Sequence, residues 1–129
     1  MYQLNTRILK DSDFITNLKL SELRLLKDGE LDWFILIPRI PNVIEWTDLS
    51  LENQTELIRE INLISTLLED FSSFKKLNIA TIGNIVSQFH LHIIARQEDD
   101  RAWPNTIWGT NSSKDFDCSR SDFWKSKFT

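Results

Sequence analysis

The segment Gln88-Phe89-His90-Leu91-His92-Ile93-Ile94 carries both histidines of the chain, two residues apart, inside an apolar run. Successive side chains of a β-strand point to opposite faces. In a strand, Gln88, His90 and His92 share one face, and Phe89, Leu91 and Ile93 share the other. Packing alone rarely sets a row of imidazoles against one oily face. The pattern reads as a site that presents ring nitrogens to a substrate, a phosphoryl group or a metal.

With 129 residues, the chain is long enough for one domain with a moderate core and too short for two. The reading is therefore a single domain over residues 1–129. The net charge of −4 comes with no block of like charges, which disfavours a nucleic-acid polymer as partner. One phosphate group held by local donors remains compatible with it. The single Cys118 excludes an internal disulfide and points to a reducing, cytoplasmic setting. Residues 1–7 lack the apolar core of a signal peptide, and no apolar run approaches the ~20 residues of a membrane span.

The expected elements rest on pattern and punctuation. Residues 4–19 mix Leu4, Ile8, Leu9, Phe14 and Ile15 with acids and Asn, and read as short helical or irregular structure. Leu20–Leu26 reads as a strand and Lys27–Glu30 as a turn. Trp33–Ile37 is an apolar run closed by Pro38, the mark of a buried strand, and Pro41-Asn42 breaks the chain after it. A helix over residues 50–73 starts at a cap from Asp48 or Ser50 and carries Leu57, Ile61, Ile64, Leu68 and Phe71 as an apolar stripe. Leu77–Ile82 reads as a further strand. Gly83-Asn84 is the turn of a hairpin leading into the histidine strand, residues 86–96. The sum is an α+β fold: an antiparallel sheet of about five strands, one long helix across a face, and a smaller amino-terminal element. Residues 110–129 read as a tail, polar at first, whose Phe123, Trp124 and Phe128 need something to pack against. All strand and long-helix signals lie upstream of it, so truncation after Gly109 is expected to weaken binding or assembly before it unfolds the sheet.

Imidazoles two positions apart on a strand lie roughly 6–7 Å apart. That could serve a zinc ion, which needs three or four ligands. The chain has no third histidine, Cys118 is remote in sequence, and no carboxylate is marked out. Nucleophilic chemistry fits better. A neutral imidazole can attack phosphorus and divide one hard displacement into two easier ones. The second histidine can then hydrogen-bond a phosphate oxygen or the leaving group. Gln88 can orient a neighbour, and the Gly83-Asn84 turn can present backbone N–H groups to a phosphate.

The run Gln-Phe-His-Leu-His-Ile-Ile-Ala-Arg resembles the His-φ-His-φ-His-φ-φ signature of the histidine triad (HIT) superfamily of nucleotide hydrolases and transferases. The likeness extends over about residues 20–109. It takes in Trp33–Arg39, Asp48-Leu49-Ser50 before the long helix, Leu77–Ala80, Gly83–Val86, Arg101–Pro104 and Ile107–Gly109, and is greatest to a bacterial branch labelled diadenosine-tetraphosphate-hydrolase-like. The resemblance implies His90 as the nucleophile, His92 as the phosphate contact, and Gln88 in place of the first triad histidine. It implies Asn78 facing the phosphate from the neighbouring strand, and Trp103 with Trp108 beside the nucleotide pocket. Ile85 stands where several HIT hydrolases carry Ser or Thr to assist the leaving group. The same resemblance implies a homodimer that binds a purine nucleotide or dinucleoside polyphosphate, with no cofactor and no metal, and that turns it over through a nucleotidyl-histidine. Gln88 and Ile85 keep open a protein that binds nucleotides with little turnover, and a zinc-binding module stands third. Two histidines do not close a tetrahedral zinc site, so purified protein should carry well under one equivalent of zinc. Turnover should survive a chelator. One equivalent of zinc by elemental analysis, with activity lost on its removal, would put the metal reading first.

Overall fold

The computed structural model describes all 129 residues, Met1–Thr129. Its centre is a five-stranded, fully antiparallel sheet in the order β1-β2-β3-β5-β4. The two innermost strands of apolar sequence, β3 (Trp33–Pro38) and β5 (Leu91–Arg96), are buried along their whole length. A strand flanked by strands and covered on both faces needs apolar or internally paired side chains on both faces, and these two sequences supply them. Phe34, Leu36, Leu91, Ile93 and Ala95 point to one face, where Leu57, Ile64 and Leu68 of the long helix complete the main core. Trp33, Ile35, Ile37 and Ile94 point to the other, where they meet Ile8 and Ile107. The sheet therefore has a helix side and a second, thinner side, and His92, register partner of Ile35, lies on the second.

The long helix α2 spans Leu51–Phe71, and the hydroxyl of Ser50 caps it by accepting the N–H of Asn53 at 3.1 Å. Leu57, Ile64 and Leu68 of the expected stripe are buried, while Phe71 at the carboxyl end is exposed. A polar residue joins the buried face. Glu60 accepts the N–H groups of Leu20 (2.8 Å) and Ser21 (3.3 Å), satisfying the backbone where β2 (Ser21–Leu26) begins. In the turn after β2, the carboxylate of Asp28 accepts the N–H groups of Glu30 and Leu31. A Cβ on Gly29 would run into the carbonyl oxygen of Lys114, so this glycine allows the carboxyl-terminal segment to lie directly on the turn.

Three expectations are corrected. Residues 4–19 begin with helix α1 (Thr6–Asp11), capped by Asn5, as the short helical reading has it, but continue as edge strand β1 (Ser12–Asn17), which was not expected. The pairing of β1 with β2 slips between Phe14 and Thr16, and only Ser12 and Ile15 are buried, so the two-residue alternation that announces a strand is absent. Second, the expected tight hairpin is opened out. Strand β4 (Lys76–Ala80) ends at Ala80, β5 starts at Leu91, and residues 81–90 form a loop, pinned where Phe89 N–H donates to Val43 C=O at 2.9 Å. Gln88 and His90 thus precede the strand. Third, residues 110–129 are not a loose tail. Helix α3 (Ser119–Lys125) sinks Trp124 completely into the main core, edge-on to Phe34 at 5.1 Å. Its indole N–H and the guanidinium of Arg120 both donate to the carboxylate of Asp32.

None of the helices is long and apolar enough to cross a membrane. Trp124→Ala, which empties a fully buried site, should cost ~3–5 kcal/mol in urea unfolding. Truncation after Gly109 should abolish the cooperative transition. A truncated protein with a wild-type midpoint would show that α3 is dispensable to the core.

Candidate functional site

The thinner side of the sheet floors a cavity of about 690 Å³. Leu26, Trp33, Ile35, Ala80 and His92 reach it from four strands. Arg7, Ile8 and Asp11 of α1 form one wall, Ile82 to Val86 of the loop a second, and Thr106, Trp108 and Gly109 a third. Gly83, at φ +69°, supplies the left-handed backbone that bends the second wall. The third wall is held by Arg101, whose guanidinium donates to both carboxylate oxygens of Asp28 at 2.7 and 3.2 Å.

His90 and His92 meet in this cavity with ring centroids 4.8 Å apart. Their hydrogen bonds give them opposite tautomers. At His92, Nδ1 lies 2.9 Å from the indole nitrogen of Trp33, and an indole N–H only donates. Nδ1 is therefore the acceptor, and the neutral ring carries its proton on Nε2. At His90, Nδ1 lies 2.7 Å from the main-chain oxygen of Gln88, which only accepts. Here Nδ1 carries the proton, and in the neutral ring Nε2 keeps a free lone pair. One imidazole thus offers a donor and its neighbour a nucleophilic nitrogen. Burial, helped by the charge of His90, pushes the pKa of His92 down to about 3. Trp33 and Trp108 stand edge-on to His92, at 5.8 and 5.2 Å between centroids.

The other candidates divide. Gly83 and Asn84 line the cavity. The side chain of Gln88 does not: its amide turns away and bonds the amino-terminal segment, donating to Gln3 C=O and accepting Asn5 N–H. Asn78 shares the sheet face of His92 but lies two residues beyond Ala80, where it accepts a hydrogen bond from Arg96 at 2.9 Å. Trp103 covers that same guanidinium, 5.7 Å from its ring centroid. Arg96 is fully buried and also forms a paired bridge to Asp100, which holds the Asp100 carboxyl far below the ordinary range. Asn78 and Trp103 thus belong to a buried polar cluster next to the cavity, and Trp108 is the aromatic residue that reaches it. No three His, Cys, Asp or Glu side chains come together as a metal-binding group.

Trp33 and the α1 residues escaped the sequence reading. Trp33 was recoverable in principle, since it shares the parity of Ile35, the residue opposite His92. Nothing in the local pattern marks Arg7 or Asp11.

This geometry coincides with a family. The chain belongs to the histidine triad family: the HIT domain model matches residues 8–99. Solved structures of three histidine triad proteins superpose on it, each with a TM-score of 0.91. The Bradyrhizobium japonicum protein is 37% identical, over 97% of this chain and 93% of its own. The Sinorhizobium meliloti protein is 32% identical, over 98% and 93%. The Marinobacter aquaeolei protein is 31% identical, over 100% and 94%. Among curated proteins there is no match.

A histidine whose folded pKa is depressed is neutral in the fold and charged in the unfolded chain over the interval between the two values. The stability it confers is full above about 6.5 and is lost as pH falls toward about 3. Urea unfolding between pH 7 and pH 4 should therefore show a steeper loss of stability in the wild type than in His92→Gln. Equal slopes would show that His92 ionises in the fold as it does in the unfolded chain.

Proposed function

We propose that the protein hydrolyses or transfers nucleotides through a covalent nucleotidyl group on Nε2 of His90. The observation that carries the reading is the complementary tautomer pair within one cavity. The lone pair of His90 Nε2 attacks phosphorus, a P–N bond forms, and the bond to the leaving group breaks with its electron pair departing. Positive charge gathers on the ring, and the Gln88 carbonyl opposite Nδ1–H offsets it. Water or another acceptor then attacks the same phosphorus. The P–N bond breaks, its pair returns to Nε2, and the nucleophile's proton passes to solvent. His92 donates Nε2–H to a non-bridging oxygen throughout. Held neutral by burial, it acts as a donor and does not release the proton.

The substrate in this reading is a purine nucleotide or dinucleoside polyphosphate, as in the diadenosine-tetraphosphate-hydrolase-like branch. Ile8, Leu26, Trp33 and Ile82 give the apolar lining a base requires, and the volume suits a nucleotide. Gly83 and Asn84 border the phosphate, with Asn78 and Trp103 supporting from behind. The protein acts in the cytoplasm as a homodimer. The open edge of β4, with Ile79 exposed on it, is a surface for pairing two sheets. Slow turnover is the second reading. It is favoured by Ile85, exposed at the cavity rim with no proton to give a leaving group, and by the outward course of the Gln88 side chain.

The test is turnover of adenosine phosphoramidate and of diadenosine tetraphosphate, with a search for an acid-labile, base-stable adduct. His90→Ala should lower kcat by roughly a thousandfold or more and abolish the adduct, because water cannot replace the two-step route. His92→Ala should weaken turnover less. Near wild-type kcat in His90→Ala overturns the mechanism. AMP binding without turnover by the wild type selects the binding-only reading.

A further inference from the structure

We infer that Gln88 is a positioning residue that joins the nucleophile to the specificity wall of the pocket. The inference rests on the nucleotide-binding reading of the cavity and adds a role for the residue that stands where the first triad histidine would. The side-chain amide of Gln88 accepts Asn5 N–H at 2.8 Å and donates to Gln3 C=O at 2.9 Å. An N–H and a C=O two residues apart on one extended segment are met by the two ends of a single primary amide, much as a neighbouring strand would meet them. Gln88 therefore acts as a one-residue strand for the amino-terminal segment. A histidine cannot reproduce this contact, since its two ring nitrogens point in divergent directions.

The docked segment is the start of the wall. Asn5 caps α1 with its side chain, accepting Arg7 N–H at 2.8 Å, and with its carbonyl, accepting Leu9 N–H at 3.0 Å. Helix α1 in turn brings Arg7, Ile8 and Asp11 to the cavity, and Arg7 and Asp11 are the only fully charged side chains lining it. Within the same residue, the main-chain carbonyl of Gln88 holds His90 Nδ1–H at 2.7 Å. One residue thus sets the nucleophile with its backbone and the opposite wall with its side chain. A side-chain substitution spares the first contact and breaks the second, so its effect falls on binding more than on chemistry.

Affinity for AMP, read by the fluorescence of Trp33 and Trp108 in the cavity, and steady-state kinetics would be measured together. The proteins are the full chain, Gln88→Leu, Gln88→Glu, a chain lacking residues 1–3, and that truncation combined with Gln88→Leu. Loss of two hydrogen bonds should weaken AMP binding and raise KM by ~10-fold, with a smaller change in kcat. Removing residues 1–3 takes away the Gln3 carbonyl but leaves Asn5 N–H, so it should give a smaller loss, and the combined variant should lose no more than Gln88→Leu alone, because the truncation breaks one of the two bonds that Gln88→Leu breaks. Gln88→Glu at pH 7 keeps an acceptor for Asn5 N–H but sets a carboxylate against Gln3 C=O, so it should also weaken AMP binding. It should recover AMP affinity relative to wild type as pH is lowered to about 4, where the carboxyl becomes protonated and again offers one donor and one acceptor. Wild-type AMP affinity in Gln88→Leu, fully additive losses, or no recovery of Gln88→Glu would each overturn the inference. If Gln88→Leu does not fold, the truncation and the pH response of Gln88→Glu decide. Should the full chain bind AMP without turning it over, the enzymatic proposal fails while the affinities still test the docking.

Discussion

The hydrogen bond from the indole N–H of Trp33 to Nδ1 of His92 decides what the site can do. It spans neighbouring strands, so it exists only because β3 and β5 pair in the register that sets Ile35 opposite His92. A bond to a donor-only group leaves the imidazole no choice of tautomer. It also accounts for a buried, uncharged histidine in a chain with only two. Burial disfavours the imidazolium, and the neutral ring has its one acceptor already satisfied. What remains exposed to the cavity is a single N–H.

That constraint acts on the neighbouring ring as well. With centroids 4.8 Å apart, two imidazolium rings would repel strongly in this poorly solvated place. In the proposed attack, positive charge developing on His90 would meet a neutral donor and the Gln88 carbonyl. The pair thus separates roles that the sequence presents as two identical residues. Both Nδ1 atoms are engaged by the protein, so only the two Nε2 atoms face the cavity.

The sheet and its long helix were legible because their signals are local. Trp33–Ile37 is apolar on both parities, Leu91–Ile94 is apolar except at His92, and the steps of three and four along α2 leave one stripe. The parts that were not legible depend on partners distant in the chain. Glu60 looks like a solvated helix position until the backbone of Leu20 and Ser21 is placed beneath it. Trp124 is legible as an aromatic that needs a partner, but that the partners are Asp32 and Phe34 is not. Alternation through residues 86–96 was real, but a ladder needs a neighbour for each backbone group. At Phe89 that neighbour is Val43 in another loop, so the strand starts only at Leu91. His90 and His92 were found because a row of imidazoles on a strand is rare. Gln88 was placed beside them by the same alternation, and its side chain leaves that row because two unpaired backbone groups of the amino-terminal segment compete for it.

The distribution of the cavity lining along the chain is a consequence of the two-sided sheet. The helix side is packed by α2 and α3. On the other side, strands supply only a floor. A floor of Leu26, Trp33, Ile35, Ala80 and His92 can present reactive nitrogens, but it encloses nothing. Enclosure comes from α1 before the sheet, the loop between β4 and β5, and residues 106–109 after it. The matched family region stops at residue 99, ahead of Trp108 and Gly109. The bond between Trp33 and His92 is therefore fixed by the paired strands, where one register error would separate the two residues. The walls are left to segments whose attachment runs through a few polar contacts: Asn5 and Gln3 on Gln88, and Arg101 on Asp28. Such a contact can change while β3 and β5, with Trp33 on His92, stay in place.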